Sequence, residues 1–130
     1  HNYRNTNQIV DYVARELGIA MQAIGFDGPE VSRIGVRGIS AFFREKKGLK
    51  AVIVPESEIE RYRRKSYNVL GDTGRLSKKK INLMTVYESK GLEFTCVAVA
   101  DKNMTKQEKY IAYTRALKEL AVIREGNGAE

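Results

Sequence analysis

The chain has one cysteine, one histidine, two prolines and no tryptophan in 130 residues. A single Cys and a single His cannot assemble a zinc cluster or close a disulfide within the chain, so those classes are excluded. No apolar run approaches the roughly 20 residues that a membrane helix needs, and no signal peptide opens the sequence. No membrane partner is therefore expected, and the cytoplasm is the expected location. Cys96, inside the apolar run Cys96-Val97-Ala98-Val99-Ala100, reads as a small buried hydrophobe in a reducing compartment. Catalytic patterns are missing too. "GDTGRLS" at 71 to 77 lacks the lysine and the spacing of a P-loop, and no Ser-His-Asp, Cys-His or paired-carboxylate arrangement is apparent. The segment lacks a complete catalytic apparatus of its own.

Positive charge is what the chain has in excess. Twenty-three Lys and Arg against 16 Asp and Glu give a net charge of +7, which favours a polyanionic partner such as nucleic acid or nucleotide. A hydrophobic content of 42% with 30% charged residues is that of an ordinary globular protein, and the length suits one domain with one core.

Hydrophobic periodicity predicts a helix from an Asn5 cap, with Gln8 as its partner, through Ile9, Val10, Val13 and Leu17 to a stop at Gly18. Strands are predicted at 30–37 and 50–54, with a short helix at 39–47 between them. A Ser57–Glu60 capping box after Pro55 predicts a helix at 58–66, and 68–80 reads as a loop. Strands at 81–87 and 95–100 follow, then a helix from the Thr105–Glu108 capping box to about residue 118. A strand at 120–123 and a frayed tail, "REGNGAE", complete the reading. Strands alternating with helices, and continuous apolar runs such as "KAVIV" and "CVAVA", predict an α/β domain with a mainly parallel sheet flanked by helices.

Three stretches stand out chemically. "YESKGLEF", 87 to 94, interrupts two strands with a lysine, a glycine and a glutamate. In parallel sheets, ligands bind beyond the carboxyl ends of the strands, and this loop is assigned to such an end. Lys90 offers a charge to phosphate, Gly91 permits close backbone approach, and Glu93 can accept from a sugar hydroxyl. The same loop reads equally as a charged turn whose Leu92 and Phe94 plug the core. In "YIAYTRALKEL", helical spacing groups Tyr110, Tyr113, Thr114 and Leu117 and sets Arg115 about 140° from Tyr110, facing outward. It is either a phosphate-gripping guanidinium or a solubilising side chain. "NYRNT" places Tyr3 and Arg4 before a helix start. The basic runs at 61–65 and 78–80 are either solvated faces or contacts to a phosphate backbone.

In this order, "NYRNT", "LMTVYESKGLEF" and "YIAYTRALKEL" resemble motifs IV, V and VI of the UvrD/Rep/PcrA group of superfamily 1 helicases, spanning the chain from Asn2 to Leu120. The resemblance implies the second RecA-like domain, called 2A, a three-layer α/β unit over residues 1–124, with 125–130 as a flexible tail. It implies that Tyr3 stacks on adenine, Arg4 reaches the γ-phosphate, and Glu93 contacts the ribose beside Gly91. Arg115 would be the arginine finger. Thr85, Tyr87, Ser89 and Lys90 would face a single strand, expected to be DNA. ATP with Mg²⁺ is the implied cofactor, with the P-loop and metal ligands on an N-terminal partner domain of the same chain. The segment alone is then expected to be inactive.

Tyr87 stands where the family has histidine, and Thr95 where it has aspartate. Residues 7 to 83 leave no room for the large 2B insertion of the better-known members. That compactness resembles the HelD-type branch, which makes RNA polymerase a partner under an alternative reading, an ATPase that recycles polymerase without unwinding duplex.

Overall fold

The computed structural model describes residues 3–23 and 25–124, so the expected tail over 125–130 lies outside the described residues. Helices α1 (Asn7–Leu17), α2 (Ile39–Phe43), α3 (Ile59–Tyr62), α4 (Leu70–Thr73), α5 (Val86–Ser89) and α6 (Lys106–Tyr113) accompany six strands. The strands are β1 (Ser32–Ile34), β2 (Lys50–Val54), β3 (Asn68–Val69), β4 (Asn82–Thr85), β5 (Phe94–Val99) and β6 (Ala116–Ile123). They form one sheet in the order β1-β6-β5-β2-β4-β3, and every pairing is parallel. The expected parallel sheet flanked by helices is what forms. No described helix is long and apolar enough to cross a membrane.

Alternation along the strands builds two apolar layers. Ala51 and Ile53 of β2 face α1, α5 and α6 with Ile9, Val13, Val86 and Tyr113. Val52 and Val54 face the other way, against Phe42, Phe43 and Tyr62 of α2 and α3. Because β2 and β5 are covered on both sides, their sequences are nearly continuous in apolar residues. Cys96 is buried in the second layer, and burial pushes its thiol pKa up, with Glu119 adding to the effect.

Several predicted boundaries move. The last helix ends at Tyr113, because β6 starts at Ala116 rather than at residue 120. "ALKEL" favours helix by propensity, but two parallel neighbours, β5 and β1, satisfy its backbone and override a weak preference. The Ser57–Glu60 box does not form. A tight 3-10 turn, Glu56–Glu58, follows Pro55, and α3 lasts four residues without a side-chain cap. The predicted helix at 39–47 contracts to Ile39–Phe43, and the strand at 30–37 to Ser32–Ile34. The predicted loop at 68–80 contains the edge strand β3 and the turn of α4. Arg124, assigned to the tail, is anchored: its N–H donates to the Ile34 carbonyl and its guanidinium pairs with Asp101 at 2.9 Å.

A buried polar joint fixes the amino end of the β2-β4-β3 half. Asn82 is fully buried. Its Oδ1 accepts from Asn68 Nδ2 and the Ser77 N–H, both at 2.8 Å, and its Nδ2 donates to the carbonyls of Lys50 and Ser77, both at 3.0 Å. Buried groups left without partners are costly. We predict that Asn82→Ala lowers the free energy of unfolding by about 2–4 kcal/mol in a urea titration. A loss under about 0.5 kcal/mol would contradict this role.

Candidate functional site

At the amino ends of β5 and β6, three segments far apart in sequence are tied together. Asn5 is buried, and its Nδ2 donates to the carbonyls of Thr114 at 2.9 Å and Ala116 at 2.6 Å, the residues on either side of Arg115. The Thr6 N–H donates to the Leu117 carbonyl, and the Phe94 N–H to the carbonyl of Arg115 itself. Asn5 is therefore not the helix cap. That position falls to Thr6, and Gln8 instead accepts from the Gly28 N–H at 2.7 Å. The pattern Asn-x-x-Gln fits a capping box equally well, and nothing local reveals a bond spanning more than a hundred residues.

The backbone so fixed carries a half-buried Arg115. It sits in the turn between α6 and β6, not on a helix face, so the outward direction read from helical spacing does not apply. Its Nε donates to the Ile111 carbonyl at 2.9 Å, one Nη to the Leu92 carbonyl at 3.1 Å and the other to Thr114 Oγ1 at 3.2 Å. A guanidinium has five N–H groups. One on each Nη is thus left over beyond these bonds.

Around it stand three of the expected partners. Arg4 pairs with Glu93 at 2.8 Å, with side chains 72% and 39% exposed. Tyr3 contacts the Tyr110 hydroxyl, whose pKa is raised by burial first and by Tyr3 next, while Arg115 pulls it down. Tyr3 and Arg4 also border a groove of about 780 Å³ shared with Phe26, Pro29, Leu117 and Lys118. Phe26 is 88% exposed; an isolated apolar residue between Gly25 and Asp27, it carried no periodic signal.

The remaining expected residues lie elsewhere. "YESKGLEF" does not stay at the carboxyl end of the sheet. It leaves that end at β4, makes the single turn of α5, and crosses to the amino end, where Glu93 meets Arg4. The rule that ligands gather at carboxyl ends therefore misplaces the Arg4–Glu93–Arg115 cluster, which is on the opposite edge.

Thr85 caps α5, its hydroxyl accepting from the Glu88 N–H at 3.1 Å while Glu88 accepts from the Thr85 N–H at 3.0 Å. Glu88 and Glu93 thus have separate jobs, one a cap and the other an ion-pair partner. Ser89 is fully buried and donates to the Val86 carbonyl at 2.7 Å, so its side chain offers a strand no surface in this conformation. Tyr87 and Lys90 are exposed, with the Lys90 ammonium 5.2 Å from the Tyr87 ring centre. Gly91 has φ +81° with open space around it, so the turn out of α5 accounts for the glycine without a ligand.

The structure resembles the C-terminal domain of a possible DNA helicase from Lactobacillus plantarum WCFS1, with a TM-score of 0.68 and 22% identity over 97% of this chain and 89% of that one. At that identity the likeness establishes a shared fold. No protein-family model matches the chain, and no curated protein matches it.

Asn5→Ala removes two donors from buried carbonyls, and we predict a loss of about 1–3 kcal/mol of stability in denaturant titration. Asn5→Asp should cost at least as much, since a carboxylate can only face those carbonyls as another acceptor. An Asn5→Asp variant as stable as wild type would show that Asn5 does not hold the backbone around Arg115.

Proposed function

We propose that this chain is the second RecA-like domain of a superfamily 1, UvrD/HelD-like ATP-dependent DNA translocase, supplying half of a nucleotide site to a partner P-loop domain. The observation that carries the reading is the convergence of Tyr3, Arg4, Glu93 and Arg115, drawn from three distant segments, on one edge of the sheet. The helicase-type fold of the Lactobacillus neighbour supports it.

The residues present suit a nucleotide triphosphate. The Arg4–Glu93 pair is exposed, and such pairs contribute only about 0–1 kcal/mol. Arg4 can therefore exchange Glu93 for a phosphate oxygen at little cost, and the bond gained is charge-assisted. Glu93, once released, can accept from a ribose hydroxyl. Tyr3 would stack on the base. Arg115, held by three bonds but with one N–H unused on each Nη, can meet a phosphate in bidentate fashion without first being ordered.

Among the described residues no group of three His, Cys, Asp or Glu could hold a metal. In this reading the Mg²⁺ ligands and the P-loop lysine belong to the partner domain. Bound ATP·Mg²⁺ supplies the transferring phosphoryl group, and this chain supplies positive charge at its developing oxyanions. Thr85, Tyr87 and Lys90 lie at and beyond the other end of β4 and would face single-stranded DNA, so α5 and its following turn would link strand to nucleotide.

A second reading is favoured by one observation. Among the described residues, the stretch from α1 to β4 goes into the sheet, its helices and their connections, with no separate lobe. That suits the compact HelD-type branch, in which ATP would drive release from RNA polymerase rather than unwinding.

We predict no ATP turnover by this chain alone. Joined to its P-loop domain, Arg115→Ala should lower turnover about 10³-fold. Arg115→Lys should fail to restore it, because an ammonium lacks the planar fork. A drop below tenfold would take Arg115 out of the phosphate site. Turnover stimulated by single-stranded DNA supports the translocase, and turnover indifferent to DNA supports the polymerase-directed reading.

A further inference from the structure

The nucleotide reading uses the amino edge of β5 and β6. The same edge continues across β2, β4 and β3, and there the surface is dominated by cations. Two shallow concavities lie side by side. Arg44, Lys46, Lys50 and Lys79 line one of about 310 Å³, which contains a single carboxylate, Glu45. Arg63, Arg64, Lys65 and Lys80 line the other, of about 380 Å³, which contains a single carboxylate, Asp72.

Pairing removes little of this charge. Lys46 pairs with Glu119 at 3.3 Å, and Arg63 is occupied by Glu60 and Asp72. Arg44, Lys50 and Lys79 in the first concavity, and Arg64, Lys65 and Lys80 in the second, form no ion pair among the described residues. Solvated lysines on a flexible loop would have no further meaning. Here the loop is braced. Ser77 Oγ accepts from the N–H groups of Lys79 at 3.2 Å and Lys80 at 2.9 Å, and Ser77 itself is held from both sides by the buried Asn82. Lys79 and Lys80, adjacent in sequence, therefore sit one in each concavity and join them into a single band.

We propose that this band is a second nucleic-acid surface, gripping the phosphodiester backbone without sequence preference. The chemistry selects that partner class. The concavities are open and shallow, so they do not enclose a small anion. Their unpaired cations are mostly lysines, which act as point charges rather than as forks aimed at one group. A row of spaced positive charges matches a row of spaced phosphates. The band shares no lining residue with the Tyr3–Arg4 groove. It also lies at the opposite end of β4 from Thr85. It does not depend on the arginine-finger reading, since a chain that hydrolyses nothing would still bind through it.

The test is fluorescence anisotropy of this chain with a labelled duplex and a labelled single strand of mixed sequence, over a series of salt concentrations. The Lys65→Gln/Lys79→Gln/Lys80→Gln variant is expected to bind about tenfold more weakly. The slope of log affinity against log salt should shrink in magnitude by roughly two to three, as expected when about three phosphate contacts are lost. The Lys→Arg version of the same triple variant is expected to keep both affinity and slope, which separates charge from any effect of the substitutions on folding. Three results would overturn the proposal. They are no binding by the wild type at low salt, a glutamine variant with unchanged affinity and slope, and competition by polyglutamate as effective as that by polynucleotide. The last would reassign the band to an acidic protein partner.

Discussion

One side-chain amide holds the candidate site together. Asn5 reaches from the entry of α1 to the carbonyls on either side of Arg115, at 2.9 and 2.6 Å, in a buried environment. Low local polarity makes such bonds strong and their loss costly. Since the carbonyls of Thr114 and Ala116 are fixed, the peptide carrying Arg115 is fixed, and its own carbonyl is free to accept from Phe94. The guanidinium then turns back to Leu92. Each tie shortens the reach of the next, so the entry of α1 and the starts of β5 and β6 meet in one conformation. Preorganised positive charge is worth most where it does not have to reorganise.

The parallel sheet decides what can meet what. A chain leaving β4 at one edge must cross the whole layer to enter β5 at the other. In this protein the crossing is short: one helical turn, a glycine turn and Glu93. Residues that are neighbours in "YESKGLEF" are thus delivered to opposite edges of the domain. The same connection that carries Glu93 to Arg4 presents Tyr87 and Lys90 to solvent on the way. Mechanical coupling between the two edges, in the proposed motor, would need no element longer than this one.

Legibility in the sequence followed the range of the forces involved. The runs "KAVIV" and "CVAVA" announced doubly covered parallel strands, and β2 and β5 are that. The Thr105–Glu108 capping box was readable because all its parts lie within four residues, and it forms as expected. Thr85–Glu88 has the same spacing and also forms a capping box, but the apolar run leading into it predicts a strand over 81–87 that takes in Thr85. The second half of β6, the apolar run at 120–123, is legible as a strand, but its first half is hidden inside helix-favouring residues, since its reason for being extended lies in its neighbours and not in itself. Asn5 shows the same limit for the site. Its local pattern described a cap, while its bonds answer to backbone brought near by the sheet. The grouping of Tyr3, Arg4, Glu93 and Arg115 followed from the family resemblance, and no helical periodicity or sheet-edge rule would have assembled it. Both rules pointed elsewhere.

In the proposed motor, this edge of the sheet would meet the transferring phosphoryl group of a nucleotide. The most direct measurement is a crystal structure of the chain joined to its P-loop domain, with ADP, Mg²⁺ and aluminium fluoride bound as the transition-state mimic. Both Nη atoms of Arg115 are expected within hydrogen-bond reach of the fluoride, and Arg4 is expected to have moved from Glu93 onto phosphate. A loaded site in which neither Nη of Arg115 reaches the fluoride, with Arg4 still on Glu93, would contradict it.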